Sequence, residues 1–284
     1  MPDWPDHVKE IVRLALAEDI GSGDITTNAI YSGKEMGTAR LIARRNGVLA
    51  GIELASYILH RVNPQVMFNP KVRDGQQIME GTELALLKGP LAPVLSAERT
   101  MLNFLQRMSG IATRTRAFAK VLESTRSKIL DTRKTVPGHR YLDKMAVRIG
   151  GGVNHRMRLD DRFLIKENHI RMAGGIEKAI SHCIAYREKY NLKVAIEIEV
   201  TELDELDCVV TFGQVDYVML DNMSLANIKK AVDRVQNKYY TEASGNITLE
   251  NLLDIANTGV DFISSGALTH SVPALDISLL VDEG

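Results

Sequence analysis

Two cysteines, Cys183 and Cys208, are all that the 284 residues contain. They sit far apart in stretches that read as helix, with neither metal-ligand spacing nor a disulfide framework. A cysteine-stapled scaffold and a cysteine metal centre are therefore excluded as organising features, and a reducing, cytoplasmic setting is expected. Nor is either charge in excess: 35 Lys and Arg face 36 Asp and Glu, a net charge of −1. That balance gives no global attraction to nucleic acid or to an anionic membrane, so any anion site must be a local concentration of cations. No apolar run approaches the ~20 residues that a membrane-spanning helix needs. The residues around Trp4, Pro5 and Asp6 lack the basic stretch and apolar run of a secretory leader, so a soluble protein without one is expected. What is present is 45% hydrophobic and 25% charged residues. This is the makeup of a folded globular chain, of a length that suits one α/β barrel with an appended piece.

Val8, Ile11, Val12, Ala15 and Leu16 recur at helical spacing and Gly21 closes the run, which predicts an amphipathic opening helix. Between Gly37 and Lys88 the pattern changes to short alternating runs broken at Asn46-Gly47, Asn63-Pro64, Asp74-Gly75 and Glu80-Gly81. With one helical stretch near Ile52 to His60, this predicts a small antiparallel sheet with helices on one side. A long helix from about Val94 is expected to break at Ser109-Gly110 and to be followed by a second helix ending near Leu122.

Past Ile129 the chain alternates short β-rich runs with amphipathic helices, the pattern of parallel strands with crossover helices. Six such strands are predicted, at Ile129 to Thr132, Phe163 to Lys166, Val194 to Val200, Tyr217 to Leu220, Tyr239 to Ala243 and Phe262 to Ser264. Six are fewer than a closed barrel requires, so an open, incomplete α/β barrel is expected, unless Gly151 to His155 hides a further short strand. Barrels of this kind place their chemistry at the C-terminal ends of the strands. There the sequence puts Arg133, Lys134, Lys166, Glu199, Asp221, Ser244-Gly245 and Ser265-Gly266.

Ten Lys or Arg against four acids fall between Arg133 and Arg171, a basic island in a nearly neutral chain. Several of them follow predicted strand ends, so a cavity for a small polyanion is the reading here rather than a solvated basic face. Arg offers a planar fork to carboxylates and phosphates, and Lys a compact point charge. Ser244-Gly245-Asn246 and Ser265-Gly266-Ala267 follow the last two strands, where backbone N–H groups can approach a phosphate. A Ser-Gly pair alone is most often just a turn; two at consecutive strand ends give the phosphate reading its weight. Glu199 and Asp221 end neighbouring strands and could present two hard oxygen donors to Mg²⁺. Strand alternation puts Glu197 and Glu199 on one face and does not choose between them. His139, His169 and His182 read as structural or surface residues, and Trp4 as packing. The polar turn from Asp19 to Thr27 has no role that composition reveals.

Taken in order, these stretches resemble the quinolinate phosphoribosyltransferase family over nearly the whole chain. The resemblance is carried by Glu18-Asp19-Ile20-Gly21, Ala97-Glu98-Arg99-Thr100, Ser109-Gly110-Ile111-Ala112-Thr113 and Asp131-Thr132-Arg133-Lys134-Thr135. It continues in Asn154-His155-Arg156, Ile165-Lys166-Glu167-Asn168-His169, Glu197-Ile198-Glu199-Val200, Leu220-Asp221-Asn222, Glu242-Ala243-Ser244-Gly245 and Pro273-Ala274-Leu275-Asp276.

The resemblance implies an N-terminal α/β sandwich over residues 1–109, an open α/β barrel over 110–269 and a tail, 270–284, that returns to the first part. It also implies a homodimer or larger assembly in which Arg99 reaches the partner's active site. Substrate-binding positions carried over are Arg99, Thr132, Arg133, Lys134, His155, Arg156 and Lys166. Glu199 and Asp221 become the acidic pair for metal and ribose, and Ser244 to Asn246 and Ser265 to Ala267 the phosphate loops. The catalytic set is then Lys134, Lys166, Glu199 and Asp221. Asn246 departs from the family, which more often has a second glycine there.

The activity implied is transfer of phosphoribosyl from phosphoribosyl pyrophosphate to quinolinate with loss of carbon dioxide, giving nicotinate mononucleotide for NAD biosynthesis, with Mg²⁺ and no redox or carbonyl cofactor. Three rival readings remain: transfer to another base, an aldolase-type barrel using Lys166 as a Schiff base, and a non-catalytic anion sensor.

Overall fold

The computed structural model describes residues 3–31 and 35–282. The last two residues of the predicted tail therefore lie outside the described residues. The chain divides into two compact units. One comprises residues 1–116, 136–151 and 271–284, and the other comprises residues 117–135 and 152–270.

The first unit opens with α1 (Asp6–Ile20) and α2 (Ile25–Ile30). Next come β1 (Met36–Ala43), β2 (Gly47–Val48), α3 (Ile52–Val62), β3 (Met67–Pro70), β4 (Gln77–Ile78) and β5 (Glu83–Pro90). The long helix α4 (Leu91–Leu122) follows, belonging to this unit up to Arg116, and α5 (Arg140–Ile149) is the unit's next helix. The second unit carries β6 (Lys128–Leu130), β7 (Phe163–Ile165), α6 (Glu167–Ala173), α7 (Ile176–Lys189), β8 (Ile196–Val200) and α8 (Leu203–Phe212). It is completed by β9 (Tyr217–Asp221), α9 (Leu225–Val235), β10 (Tyr240–Ser244), α10 (Leu252–Ala256) and β11 (Phe262–Ser264). The last element among the described residues is β12 (Ile277–Val281), which belongs to the first unit.

In the first unit, strands in the order β12-β1-β5-β3 form a sheet whose pairs are all antiparallel. Alternation along β1 buries Ala39, Leu41 and Ala43 together on one face, the pattern of a sheet packed on one side. The polar turn after α1 acquires a role: Asp24 caps α2, accepting from the Thr27 backbone N–H at 2.9 Å and from its hydroxyl at 2.5 Å. Trp4 is buried.

The expected break at Ser109-Gly110 does not occur, and α4 runs unbroken for 32 residues. Both residues serve close packing instead. Ser109 Oγ accepts from the Ala50 N–H at 3.0 Å and donates to the Ala50 carbonyl at 3.2 Å. A Cβ at Gly110 would collide with the Pro273 carbonyl and come within 3.3 Å of Ala274 Cα. The roughly 1 kcal/mol that a helical glycine costs relative to alanine is thus spent on letting the tail lie against the helix. From there Gln106 Nε2 donates to the Ile277 carbonyl at 2.6 Å, and β12 pairs with β1.

Residues 136–151, read from sequence as part of the barrel, group with the first unit. The reason lies in α5, whose amphipathic sequence buries Leu142, Ala146 and Val147. Arg107 on α4 makes a two-pronged ion pair with the buried Asp143, at 2.9 and 2.7 Å. The His139 ring stacks on Phe104 with centroids 5.3 Å apart.

The second unit holds a six-stranded parallel sheet in the order β6-β11-β10-β9-β8-β7. Its end strands, β6 and β7, do not pair with each other, so the sheet is open, and the stretch suspected of hiding a strand contributes one isolated parallel bridge, Leu130 to Val153. On β8, Ile196, Ile198 and Val200 are buried on the face that meets the helices, leaving Glu197 and Glu199 on the inner face. Both cysteines are free thiols on helices, Cys183 on α7 and Cys208 on α8. Among the described residues no helix is long and apolar enough to cross a membrane.

Candidate active site

The inward-facing side chains of the parallel sheet form three tiers. At the N-terminal ends of the strands Tyr217, Tyr240 and Phe262 contact one another, with ring centroids 5.1 to 6.1 Å apart. The Arg162 guanidinium lies 4.3 Å from the centre of the Tyr217 ring. Above them sit the buried side chains of His155, Glu197 and Glu242. The C-terminal tier opens into a cavity of about 760 Å³, within the size range of small-ligand sites.

Fourteen of the fifteen residues singled out from the sequence line this cavity. Thr132, Arg133 and Lys134 come from the loop after β6, and His155 and Arg156 from the segment before β7. Lys166, Glu199 and Asp221 stand at the ends of β7, β8 and β9. Ser244, Gly245 and Asn246 follow β10, and Ser265, Gly266 and Ala267 follow β11. Arg99 is the exception, being an exposed residue of α4 in the other unit.

Lys166 and Glu199 form an ion pair across the ends of neighbouring strands. His169 Nδ1 accepts from the Lys166 N–H at 3.0 Å, which fixes the first turn of α6 just beyond the pair. Arg133 and Lys134 are exposed to the cavity, and the Lys134 N–H is turned inward by the Thr132 hydroxyl at 3.0 Å. Arg156 donates to the Arg162 carbonyl at 3.1 Å. Burial, and then the like charge of Arg133, push the Arg156 guanidinium below its ordinary value. Like charges held together in partial burial are stabilised by an anion entering between them.

Glycine is required at two places in the phosphate-type turns. Gly245 has φ +97°, and a Cβ there would run into the Asn222 amide, 2.9 Å from its Nδ2. A Cβ on Gly266 would lie 2.7 Å from Lys134 Cδ and 3.0 Å from His270 Cδ2, so both side chains rest on that bare backbone.

Beneath the cavity, His155 Nδ1 accepts from the Arg156 N–H at 2.7 Å. His155 Nε2 lies 3.0 Å from Glu197 and 3.4 Å from Glu242. Two carboxylates at this depth cannot both ionise cheaply. Burial, and then the nearby Glu197 charge, hold the Glu242 carboxyl well above its ordinary value. Burial also pushes Glu197 up, but the hydrogen bond from His155 and the charges of His155 and Arg162 outweigh it, and the carboxyl ends below its ordinary value. Arg162 stands 3.3 Å from Glu197. Among the described residues these three are the one group of His, Cys, Asp or Glu whose ligand atoms could all reach a single metal ion. Glu199 and Asp221 are not part of that group.

Leu164, Met219, Asn222, Glu242, Ile247, Ser264 and His270 line the cavity without having been singled out. For Glu242 a signal existed, because alternation along its strand puts it on the same face as Ser244. Leu164, Met219 and Ile247 are apolar side chains that carry no sequence signal of a site, and His270 follows a turn with no periodicity to place it.

The N-terminal domain model of quinolinate phosphoribosyl transferase matches residues 24–109, and the C-terminal domain model matches residues 111–280. Among curated relatives, quinolinate phosphoribosyltransferase [decarboxylating] 1b of Nicotiana tabacum is 42% identical over 99% of this chain and 84% of its own length. The chloroplastic nicotinate-nucleotide pyrophosphorylase [carboxylating] of Arabidopsis thaliana is 41% identical over 99% of this chain and 85% of its own length. Among solved structures, the nicotinate-nucleotide pyrophosphorylase of Francisella tularensis is 41% identical with a TM-score of 0.91, covering 99% of this chain and 98% of that one. The enzyme of the same name from Ehrlichia chaffeensis is 39% identical with a TM-score of 0.90, covering 96% and 98%. The chain belongs to the quinolinate phosphoribosyltransferase family.

Proposed function

We propose that this chain transfers the phosphoribosyl group of phosphoribosyl pyrophosphate to quinolinate, with decarboxylation, in the de novo synthesis of NAD. The observation that carries the reading is the convergence of Arg133, Lys134, Arg156 and Lys166 with two Ser-Gly turns around one cavity, in a chain of this family. Quinolinate brings two carboxylates, which match this group of cations, above all Arg156, whose charged form is disfavoured by burial and by the like charge of Arg133. The phosphates of the donor match the backbone N–H groups of the turns. His155 and Thr132 complete the base end, and His270 stands beside Gly266 at the phosphate end.

In the first step the pyridine nitrogen's lone pair forms a bond to the anomeric carbon as the bond to pyrophosphate breaks, its electron pair leaving with the pyrophosphate. Negative charge grows on the leaving group, where Lys134 can stabilise it. In the second step the carbon–carboxylate bond beside the now cationic nitrogen breaks. Carbon dioxide departs, and the electron pair left on the ring carbon is stabilised by the adjacent positive nitrogen until a proton from water takes it up. Lys134, Lys166, Glu199 and Asp221 form the catalytic group, positioning both substrates and balancing charge.

Glu199 and Asp221 fit Mg²⁺ as hard oxygen donors at neighbouring strand ends in a cavity suited to phosphates. When bound, the ion supplies charge neutralisation to the departing pyrophosphate. Lys166 already neutralises Glu199, so Asp221 is the less committed carboxylate. The assembly is a homodimer, or larger, in which the exposed Arg99 of one protomer serves the cavity of its partner. The compartment is the cytoplasm, in keeping with two free thiols. The reading is tested by supplying phosphoribosyl pyrophosphate and Mg²⁺ with either quinolinate or nicotinate. Nicotinate mononucleotide is expected from quinolinate; product from nicotinate alone overturns the dicarboxylate assignment.

A further inference from the structure

Asp221 and Ser244 end adjacent strands and face each other in register. Asn222, which follows Asp221, occupies the left-handed region at φ +54°, and its N–H donates to the Ser244 carbonyl at 2.9 Å. Its side chain is committed at both ends. The Nδ2 donates to Asp221 Oδ2 at 2.8 Å, and the Oδ1 accepts from Asn246 Nδ2 at 3.1 Å. This orientation is dictated by the partners: turning the amide over would set its oxygen against a carboxylate and its NH₂ against another NH₂.

Asn246 is held as well. It lies at φ +52°, a region that Asn tolerates better than most residues, and its carbonyl accepts from Asn251 Nδ2 at 2.9 Å. The Asn222 amide fills the space where Gly245 lacks a Cβ. Asn222 thus touches the carboxylate that ends β9, Ser244 through its backbone N–H, and Gly245 and Asn246 through its side-chain amide, and all of these line the same cavity.

We propose that Asn222 and Asn246 are positioning residues that tie the Asp221 carboxylate to the Ser244–Asn246 turn, so that the sugar and its phosphate are recognised as one unit. The inference rests on the reading of this turn as a phosphate site for the phosphoribosyl donor. Phosphate entering the turn fixes Asn246, Asn246 fixes the Asn222 amide, and the amide holds the Asp221 carboxylate toward the ribose. Asn in place of glycine at position 246 stiffens the turn and adds the side-chain link, so less ordering remains to be done on binding.

The test uses Asn222→Gly, Asn246→Gly and the double variant in the full-length enzyme. Glycine keeps the left-handed backbone available at both positions, so the variants fold and the amides alone are removed. Each single variant is expected to raise KM for phosphoribosyl pyrophosphate about three- to tenfold, the range of one hydrogen bond. KM for quinolinate stays within twofold, and Asn222→Gly also lowers kcat. The double variant is expected to be no worse than the poorer single one, because the two residues act through one link. Additive effects, or an equal rise in KM for both substrates, overturn the proposal. Binding of ribose 5-phosphate, measured by calorimetry against unphosphorylated ribose, separates the two levels. A wild-type enzyme that does not prefer the phosphorylated sugar overturns the phosphate reading and the coupling with it. A wild-type preference that survives intact in both single variants overturns the coupling alone.

Discussion

Lys166, at the end of β7, is ion-paired with Glu199, at the end of β8. The pair decides between two chemistries for the same lysine. A Schiff-base lysine is usually activated by apolar burial or by another cation alongside, whereas the Lys166 side chain is half-exposed and its amine is engaged by a carboxylate. Borohydride reduction in the presence of small aldehydes, ketones or sugar phosphates is expected to trap nothing on Lys166. An adduct at that residue in the mass spectrum sinks the ion-pair account and revives an aldolase-type reading. Lys166→Ala is expected to abolish most quinolinate turnover while the fold survives, since the side chain is 45% exposed.

Arg133 is exposed to the cavity, and its charge raises the cost of keeping Arg156 ionised beside it. Arg133→Ala should therefore leave the unfolding temperature close to that of the wild type. The loss of one contact to charge in the transition state typically costs about 10²- to 10³-fold in rate, and a loss of that size is expected with quinolinate. Near-normal turnover removes Arg133 from the site.

Glu242 is fully buried beside Glu197 and keeps its proton in the folded protein well above the ordinary value of 4.5. In the unfolded chain it ionises near that ordinary value. Between the two values the folded state holds one more proton than the unfolded state, so stability falls as pH rises through that window. Glu242→Gln supplies a neutral side chain of the same shape that cannot ionise. Its unfolding temperature should match the wild type below the ordinary carboxylate value and exceed it progressively as pH rises, with activity retained. A variant that becomes less stable than the wild type with rising pH shows that the ionised carboxylate is the form the fold uses.

Arg99 lies on α4 in the first unit. Its proposed place in a partner's cavity has a complementation test. Arg99→Ala and Glu199→Ala proteins, each inactive alone, should regain part of the wild-type activity when mixed, because a hybrid dimer holds one cavity with both residues intact. No recovery after subunit exchange has been verified contradicts the shared site.

Much of the second unit and of its cavity lining could be read from sequence because the cavity opens at the C-terminal ends of parallel strands. Lys166, Glu199, Asp221, Ser244 and Ser265 each follow a short β-rich run, and each lines the cavity. Sequence and structure part where long-range packing overrides a local signal. Ser109-Gly110 looks like a break until Ala50 and the returning tail are seen to need a small residue there. Residues 136–151 follow a barrel strand in the chain, yet the buried Asp143 and the Arg107 ion pair hold α5 in the other unit. The buried Glu242 lies on a strand that is legible in the sequence, on the inner face that it shares with Ser244. Asn222 follows Asp221 in the sequence with no local signal of a task, and only the geometry of its amide suggests one.

One cavity is proposed to join ribosylation of quinolinate to its decarboxylation. Quinolinate labelled in the carboxyl group beside the ring nitrogen, incubated with the enzyme, phosphoribosyl pyrophosphate and Mg²⁺, measures both steps at once. Labelled carbon dioxide and nicotinate mononucleotide are expected in equal amounts, with no labelled carbon dioxide when the phosphoribosyl donor is left out. Carbon dioxide without the donor, or a ribosylated product that keeps the label, would contradict the proposal.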